Sequence, residues 1–110
     1  MKTAIIGSRK LTIDNLEEYL PQGTTEIISG GAKGIDTCAN KLAAHLGLAL
    51  TVIRPDYRRY GKGAPLKRND EIIARADAVL AIWDGESTGT KYVIDECKRI
   101  GKPVTVVEIK

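Results

Sequence analysis

A chain of 110 residues, 43% hydrophobic and 28% charged, has the size and composition of one globular domain with an ordinary core. A formal net charge of +3 is too small by itself to argue for a nucleic-acid coat, and no apolar run is long enough to span a bilayer, so no membrane partner is expected. Cys38 and Cys97 form no CxxC and no Cys/His cluster, which leaves no metal site and predicts two packed thiols.

In chain order, Thr3 to Ile6 reads as the first strand. It follows Met1-Lys2 with no signal-peptide pattern, which predicts a cytoplasmic protein. Thr12 or Asp14 can cap a first helix running to about Leu20, before Pro21. Glu26 to Ser29 is a second strand, and the turn Ser29-Gly30-Gly31-Ala32-Lys33-Gly34-Ile35-Asp36 leads into a helix over Thr37 to Leu46. Ile35, Cys38, Ala39, Leu42 and Leu46 fall at helical spacing there, and Gly47 is its stop. His45, the sole histidine, lies on this helix away from the glycine loops.

Leu50 to Ile53 is the third strand. A long connection, Pro55 to Pro65, reads as structureless and leads to a helix with Leu66, Asn69, Ile72, Ile73 and Ala76 on one face. Ala78 to Trp83 is the fourth strand, Thr90 to Ile100 a helix ending at Gly101, and Val104 to Ile109 the fifth strand. The strands are short, continuous and rich in Ile and Val, as in a parallel sheet covered on both faces. The expected fold is therefore a three-layer, doubly wound α/β domain of five parallel strands. Two strand orders fit, 3-2-1-4-5 and 2-1-3-4-5. The first is preferred because it sets the loops after strands one, two and four side by side.

In such a sheet, ligands bind at the edge where these loops lie. Loop one is Gly7-Ser8-Arg9-Lys10, loop two is the Ser29 to Asp36 turn, and loop four is Asp84-Gly85-Glu86-Ser87-Thr88-Gly89-Thr90. Glycines let a ligand approach the backbone, and a helix N-terminus behind them favours phosphate or carboxylate. Arg9, Lys10, Lys33, Arg54, Arg58, Arg59, Lys62, Lys67 and Arg68 fall on or beside this edge, which predicts a local positive crevice for an anionic small ligand. Tyr57, Tyr60 and Trp83 offer flat surfaces for a base, although Trp83 also suits the core. No nucleophile–base pair and no cofactor motif appears. Asp36, Asp70 and Asp84 can act as acid or base only if the fold gathers them. Asp36 equally suits the first turn of its helix, and Asp84 a brace for loop four.

Four segments carry a resemblance: Gly7-Ser8-Arg9; Ser29 through Asp36; Tyr60-Gly61-Lys62-Gly63-Ala64-Pro65-Leu66-Lys67-Arg68-Asn69; and Asp77 through Gly85 with Gly89-Thr90. In these the chain resembles the SLOG superfamily, which groups LOG-like phosphoribohydrolases with the Rossmann-like domain of DNA-processing protein A. It is most similar to the small stand-alone, YspA/YpsA-related branch. The resemblance spans nearly the whole chain. It implies a Rossmann-like sheet, a nucleotide-related ligand on the glycine loops, and a homodimer or larger assembly. The ligand-binding residues it implies, together with the loop reading, are Gly7, Ser8, Arg9, Ser29, Gly30, Gly31, Lys33, Gly34, Asp36, Arg68, Asn69, Asp84, Gly85, Ser87, Gly89 and Thr90.

The LOG-like enzymes carry a Pro-Gly-Gly-x-Gly-Thr loop and then a catalytic glutamate. Here Asp84 to Thr90 replaces that loop and Lys91, Tyr92 and Val93 follow, with no acid until Asp95 and Glu96. Arg68 is similar to the other catalytic group of those enzymes, and Glu86 is the candidate substitute for the carboxylate. The leading expectation is binding or sensing of a nucleotide or nucleotide-derived ligand. The rivals are cleavage of the N-glycosidic bond of a nucleoside 5′-monophosphate, and single-stranded nucleic-acid binding by the basic loop with Tyr57 and Tyr60.

Overall fold

The computed structural model describes residues 1–109. Five parallel strands form one sheet: β1 (Lys2–Gly7), β2 (Glu26–Ser29), β3 (Ala49–Val52), β4 (Ala78–Trp83) and β5 (Val104–Glu108). Their order is β3-β2-β1-β4-β5, the preferred of the two expected, and the architecture is Rossmann-like. The helices are α1 (Ile35–Leu46), α2 (Tyr57–Tyr60), α3 (Ala64–Arg75) and α4 (Thr88–Ile100).

Alternation along the central strands divides the core between the two faces of the sheet. Ala4 and Ile6 of β1 point to one face with Ile28, Val79 and Ala81, under Ile72 and Ile73 of α3 and Val93, Ile94 and Cys97 of α4. Ile5 points to the other with Ile27, Leu80 and Ile82, under Ile35, Ala39 and Leu42 of α1. Burial on both faces is why these strands read as continuous apolar runs. In β1 to β4 pairing, Thr3 stands beside Ala78 and Gly7 beside Ile82, so the two central strands end together. The winding direction reverses between them. No helix among the described residues is long and apolar enough to cross a membrane.

Three local expectations are corrected. The helix expected from Thr12 or Asp14 to Leu20 is only a 3-10 turn, Leu16–Tyr19, preceded by Asn15, which makes no side-chain cap. Leu16 is buried against the α1 face of the sheet, with Ile13 half-buried beside it. The segment is too short to overcome the cost of nucleating an α-helix before Pro21 ends it. The Pro55 to Pro65 connection is not structureless: α2 and a 3-10 turn, Gly61–Gly63, run straight into α3. Asp56 starts α2, its carboxylate accepting the Arg59 N–H at 3.1 Å. Leu66 is 47% exposed rather than on the buried face of α3. Of the first turn of α3, Ala64 is buried and Pro65 lines a cleft, while Leu66 points away from the core.

Candidate functional site

Loops one and four leave the sheet side by side at the point of reversal, and a cleft of about 420 Å³ opens between them. Loop one contributes Gly7, Ser8, Arg9 and Lys10; loop two contributes Gly30 and Ala32, with Asp36 from α1. Arg68 and Asn69 come from α3, and Asp84, Glu86, Ser87, Thr88, Gly89 and Thr90 from loop four and the start of α4. Ile6, Ile72 and Val93 supply apolar wall.

Loop four is held by its own side chains. Asp84 Oδ1 accepts the N–H groups of Glu86 at 2.9 Å and Ser87 at 2.8 Å. These two donors hold the Asp84 carboxyl below the usual carboxylate range. Ser87 caps α4 by accepting the Thr90 N–H at 3.3 Å, and its hydroxyl lies 3.1 Å from that of Thr90. Trp83 packs against the α3/α4 core, and its indole N–H donates to Ser87 O at 3.0 Å. Ser87 O also accepts the Lys91 N–H. Thr88 and Gly89 occupy the first turn of α4 on the cleft, where N–H groups have no partner within the helix.

Loop one is tied to everything around it. Ser8 is 1% exposed. Its hydroxyl accepts the Asp84 N–H at 3.3 Å, while its carbonyl accepts N–H groups from Leu11 and Ile35. Gly34 precedes α1 at φ +70°, where an added Cβ would stand 2.5 Å from Arg9 O. Only glycine lets loop two cross loop one there.

Asp36 lies in the first turn of α1, and its Oδ2 accepts the Ala32 N–H at 3.0 Å. Arg68 reaches back from α3 to donate from Nη1 to Gly30 O at 2.6 Å and from Nε to Asn69 Oδ1 at 2.8 Å. Burial pushes the Asp36 carboxyl up, against the pull of the Ala32 N–H and the nearby Arg68 and Arg9. Burial also lowers the Arg68 guanidinium, with Asp36 opposing.

Of the expected ligand-binding residues, the cleft brings together Gly7, Ser8, Arg9, Gly30, Asp36, Arg68, Asn69, Asp84, Ser87, Gly89 and Thr90, and both catalytic candidates, Arg68 and Glu86. Ser29, Gly31, Lys33, Gly34 and Gly85 stand outside its lining. Ser29 is buried, its hydroxyl accepting the Gly31 N–H, and Lys33 is exposed. Asp70 is also outside; it accepts the Tyr92 hydroxyl at 2.6 Å, which pushes Tyr92 up to about 12. Lys10, Ala32, Pro65 and Thr88 line the cleft without having been singled out as ligand-binding residues. Lys10 and Thr88 lie in loops already marked by their small residues. Pro65 is brought in by the unanticipated α2 turn.

No family model matches the chain, and no solved structure matches it. The Gene 61 protein of Mycobacterium phage D29 is 36% identical over 84 residues, covering 71% of this chain and 67% of the phage protein. The chain belongs to the family of that Gene 61 protein. The family's name carries no activity, so the chemistry of the site rests on its charges and shape.

Those charges balance. The lining holds three cations, Arg9, Lys10 and Arg68, and three carboxylates, Asp36, Asp84 and Glu86. The expected positive crevice is thus not what lines the cleft. Arg54, Arg58, Arg59, Lys62 and Lys67 are exposed residues of the segment around α2. Arg59 and Lys67 stand over the Tyr60 ring, at 5.2 and 5.8 Å from its centroid, so that ring is already engaged by cations. Tyr57 remains 57% exposed.

Proposed function

We propose that this chain binds a nucleotide or nucleotide-derived ligand in the cleft between loops one and four, as a member of the SLOG superfamily. Gly89 is the observation that carries the reading. It lies in the first turn of α4 on the cleft, its φ is not in the left-handed region, and a Cβ there would meet nothing within 4 Å. Neither backbone geometry nor packing calls for glycine, and glycine costs helix stability. The N–H groups of Thr88 and Gly89, with no side chain at Gly89 to cover them, suit a phosphate that sits against the backbone. Arg9 and Lys10 stand on the same cleft to share the charge. The α1 N-terminus suits an anion less, because the Asp36 carboxylate in its first turn repels one.

A thermal-shift screen against nucleoside mono-, di- and triphosphates and ADP-ribose tests this, since a ligand of the folded state raises the melting temperature. A saturable shift supports the reading; none with any of these compounds removes it. The exposed cations around α2, with Tyr57, favour a second reading, single-stranded nucleic acid. Oligonucleotide binding that weakens steeply with salt, with no mononucleotide binding, selects that alternative.

A further inference from the structure

The cleft contains two opposite charges that face each other without touching. Asp36 is 5% exposed, and Arg68 is half-buried. A Cβ added at Gly30 would stand 2.7 Å from Arg68 Nη1 and 2.9 Å from Asp36 Oδ2, so the two groups approach from either side of the same missing side chain. Yet no ion pair within 4.0 Å joins them among the described residues. Each is held by something else: Asp36 by the Ala32 N–H, Arg68 by Gly30 O and Asn69 Oδ1.

This arrangement is hard to explain as a stability device. Buried opposite charges rarely stabilise a fold better than apolar residues of the same volume, and an open pair gains less than a closed one. Any side chain at position 30 would collide with both groups. Both line the cleft, and each retains hydrogen-bonding capacity beyond the contacts named above: a carboxylate has about four acceptor sites and a guanidinium five donors.

We propose that Asp36 and Arg68 together grip a hydroxyl group of the ligand, which donates to the Asp36 carboxylate and accepts from the Arg68 guanidinium. A hydroxyl suits the pair because donor and acceptor reside on one oxygen. A phosphate oxygen would be repelled by Asp36, and an ammonium group has nothing with which to accept from Arg68. The inference rests on the nucleotide reading above, in which the hydroxyl is one of the ribose hydroxyls. The cleft then divides its work, with phosphate at Thr88 and Gly89 of α4 and sugar against Asp36 and Arg68. Asp36 is a specificity-determining residue in this scheme, separating ribose from its deoxy forms.

The test is calorimetric titration of the chain with AMP, 2′-deoxy-AMP, 3′-deoxy-AMP and 2′,3′-dideoxy-AMP, repeated on Asp36→Asn after its fold is checked by circular dichroism. The dideoxy compound should bind the unaltered chain about tenfold or more weakly than AMP, as a hydroxyl shared by charged partners requires. The two singly deoxygenated compounds identify which hydroxyl is held. In Asp36→Asn the ratio between AMP and dideoxy-AMP should shrink severalfold. Equal binding of AMP and dideoxy-AMP to the unaltered chain overturns the hydroxyl grip and leaves the nucleotide reading standing. An unchanged ratio in a folded Asp36→Asn removes Asp36 from the role. Failure of every compound to bind overturns both readings.

Discussion

The Ser8 hydroxyl accepts the Asp84 N–H at 3.3 Å, and that contact fastens the loop after β1 to the loop after β4. Ser8 is 1% exposed, and Asp84 is half-buried on the cleft. Ser8→Ala should lower stability by about 1 kcal/mol, the net worth of one half-buried hydrogen bond. For a domain of this size that is a fall in melting temperature of about 4 °C. Loop four should loosen at the same time, so AMP affinity should fall with it. A variant that melts with the unaltered chain and binds AMP normally would show that the two loops hold their places independently.

Gly89 separates stability from binding. An alanine there meets no neighbour within 4 Å and needs no unusual backbone geometry. Gly89→Ala should therefore leave the melting temperature unchanged or raise it, by up to about 1 kcal/mol in free energy. AMP affinity should drop, because the added methyl stands on the cleft where the phosphate is expected. Denaturant melts paired with calorimetry check both halves. Undiminished affinity would place the phosphate elsewhere.

Charge removal should distinguish cations that the sequence could not tell apart. Lys33 of loop two and Arg68 of the helix after Pro65 both read as cations at the ligand edge and as ligand-binding residues. In the structure Arg68 lines the cleft and Lys33 is exposed outside its lining. Arg68→Ala should weaken AMP binding about tenfold or more, the loss of one charge-assisted hydrogen bond. Lys33→Ala should leave the dissociation constant within about twofold. The reverse pattern would mean that the cleft is not where AMP sits.

The layered fold and the glycine loops were legible because each rests on local chemistry; the strand order was narrowed to two and chosen by the loops it gathers. Short apolar runs mark β1, β2 and β4, and glycine at positions 34 and 89 marks loops next to a helix start. What stayed hidden depends on distant pairing. Arg68 and Asp36 are 32 positions apart, and nothing in either local pattern shows that Gly30 lets them meet. The charge balance of the cleft was hidden for the same reason, since nearness to a loop in sequence does not say which cations turn inward. Leu66 failed differently: its spacing fits an apolar stripe, but in the first turn of α3 it is Ala64 that is buried and Leu66 that is exposed.

Asp84 and Asp36 should respond to pH in opposite senses. Asp84 titrates below its ordinary value of 3.8 in the folded chain, so its contribution is full above that value and is lost as pH falls through the folded pKa. Asp36 titrates above 3.8, so folding disfavours its ionised form. That penalty is absent below 3.8 and complete once pH has risen past the folded value. Asp36→Asn, which mimics the protonated group, should thus melt higher than the unaltered chain at pH 7, with the gap closing toward pH 3.5. Melting curves of both proteins across this range decide it. A variant less stable at pH 7 would mean that attraction to Arg68 outweighs burial.

Catalysis is the remaining question, and the expected outcome is binding without turnover. Cleaving the bond between sugar and base needs a carboxylate beside the sugar carbon to stabilise the cation-like transition state. In the LOG-like enzymes of the proposed superfamily, the carboxylate follows the glycine loop within a few residues. Here that stretch holds Lys91, Tyr92 and Val93, and Lys91 is paired with Asp95 at 2.9 Å on the exposed side of α4. Glu96 is engaged with Arg99 one turn further on, and neither acid lines the cleft. Asp36 lies within reach of a ligand, but gripping a hydroxyl commits it to the sugar's edge. Glu86 does line the cleft, although as an exposed residue without the burial that tunes an acid or base. Chromatography of AMP incubated with the chain should therefore show no appreciable adenine over hours. Adenine release that disappears in both Glu86→Gln and Arg68→Ala would reverse this conclusion and assign Glu86 as the carboxylate of a working hydrolase.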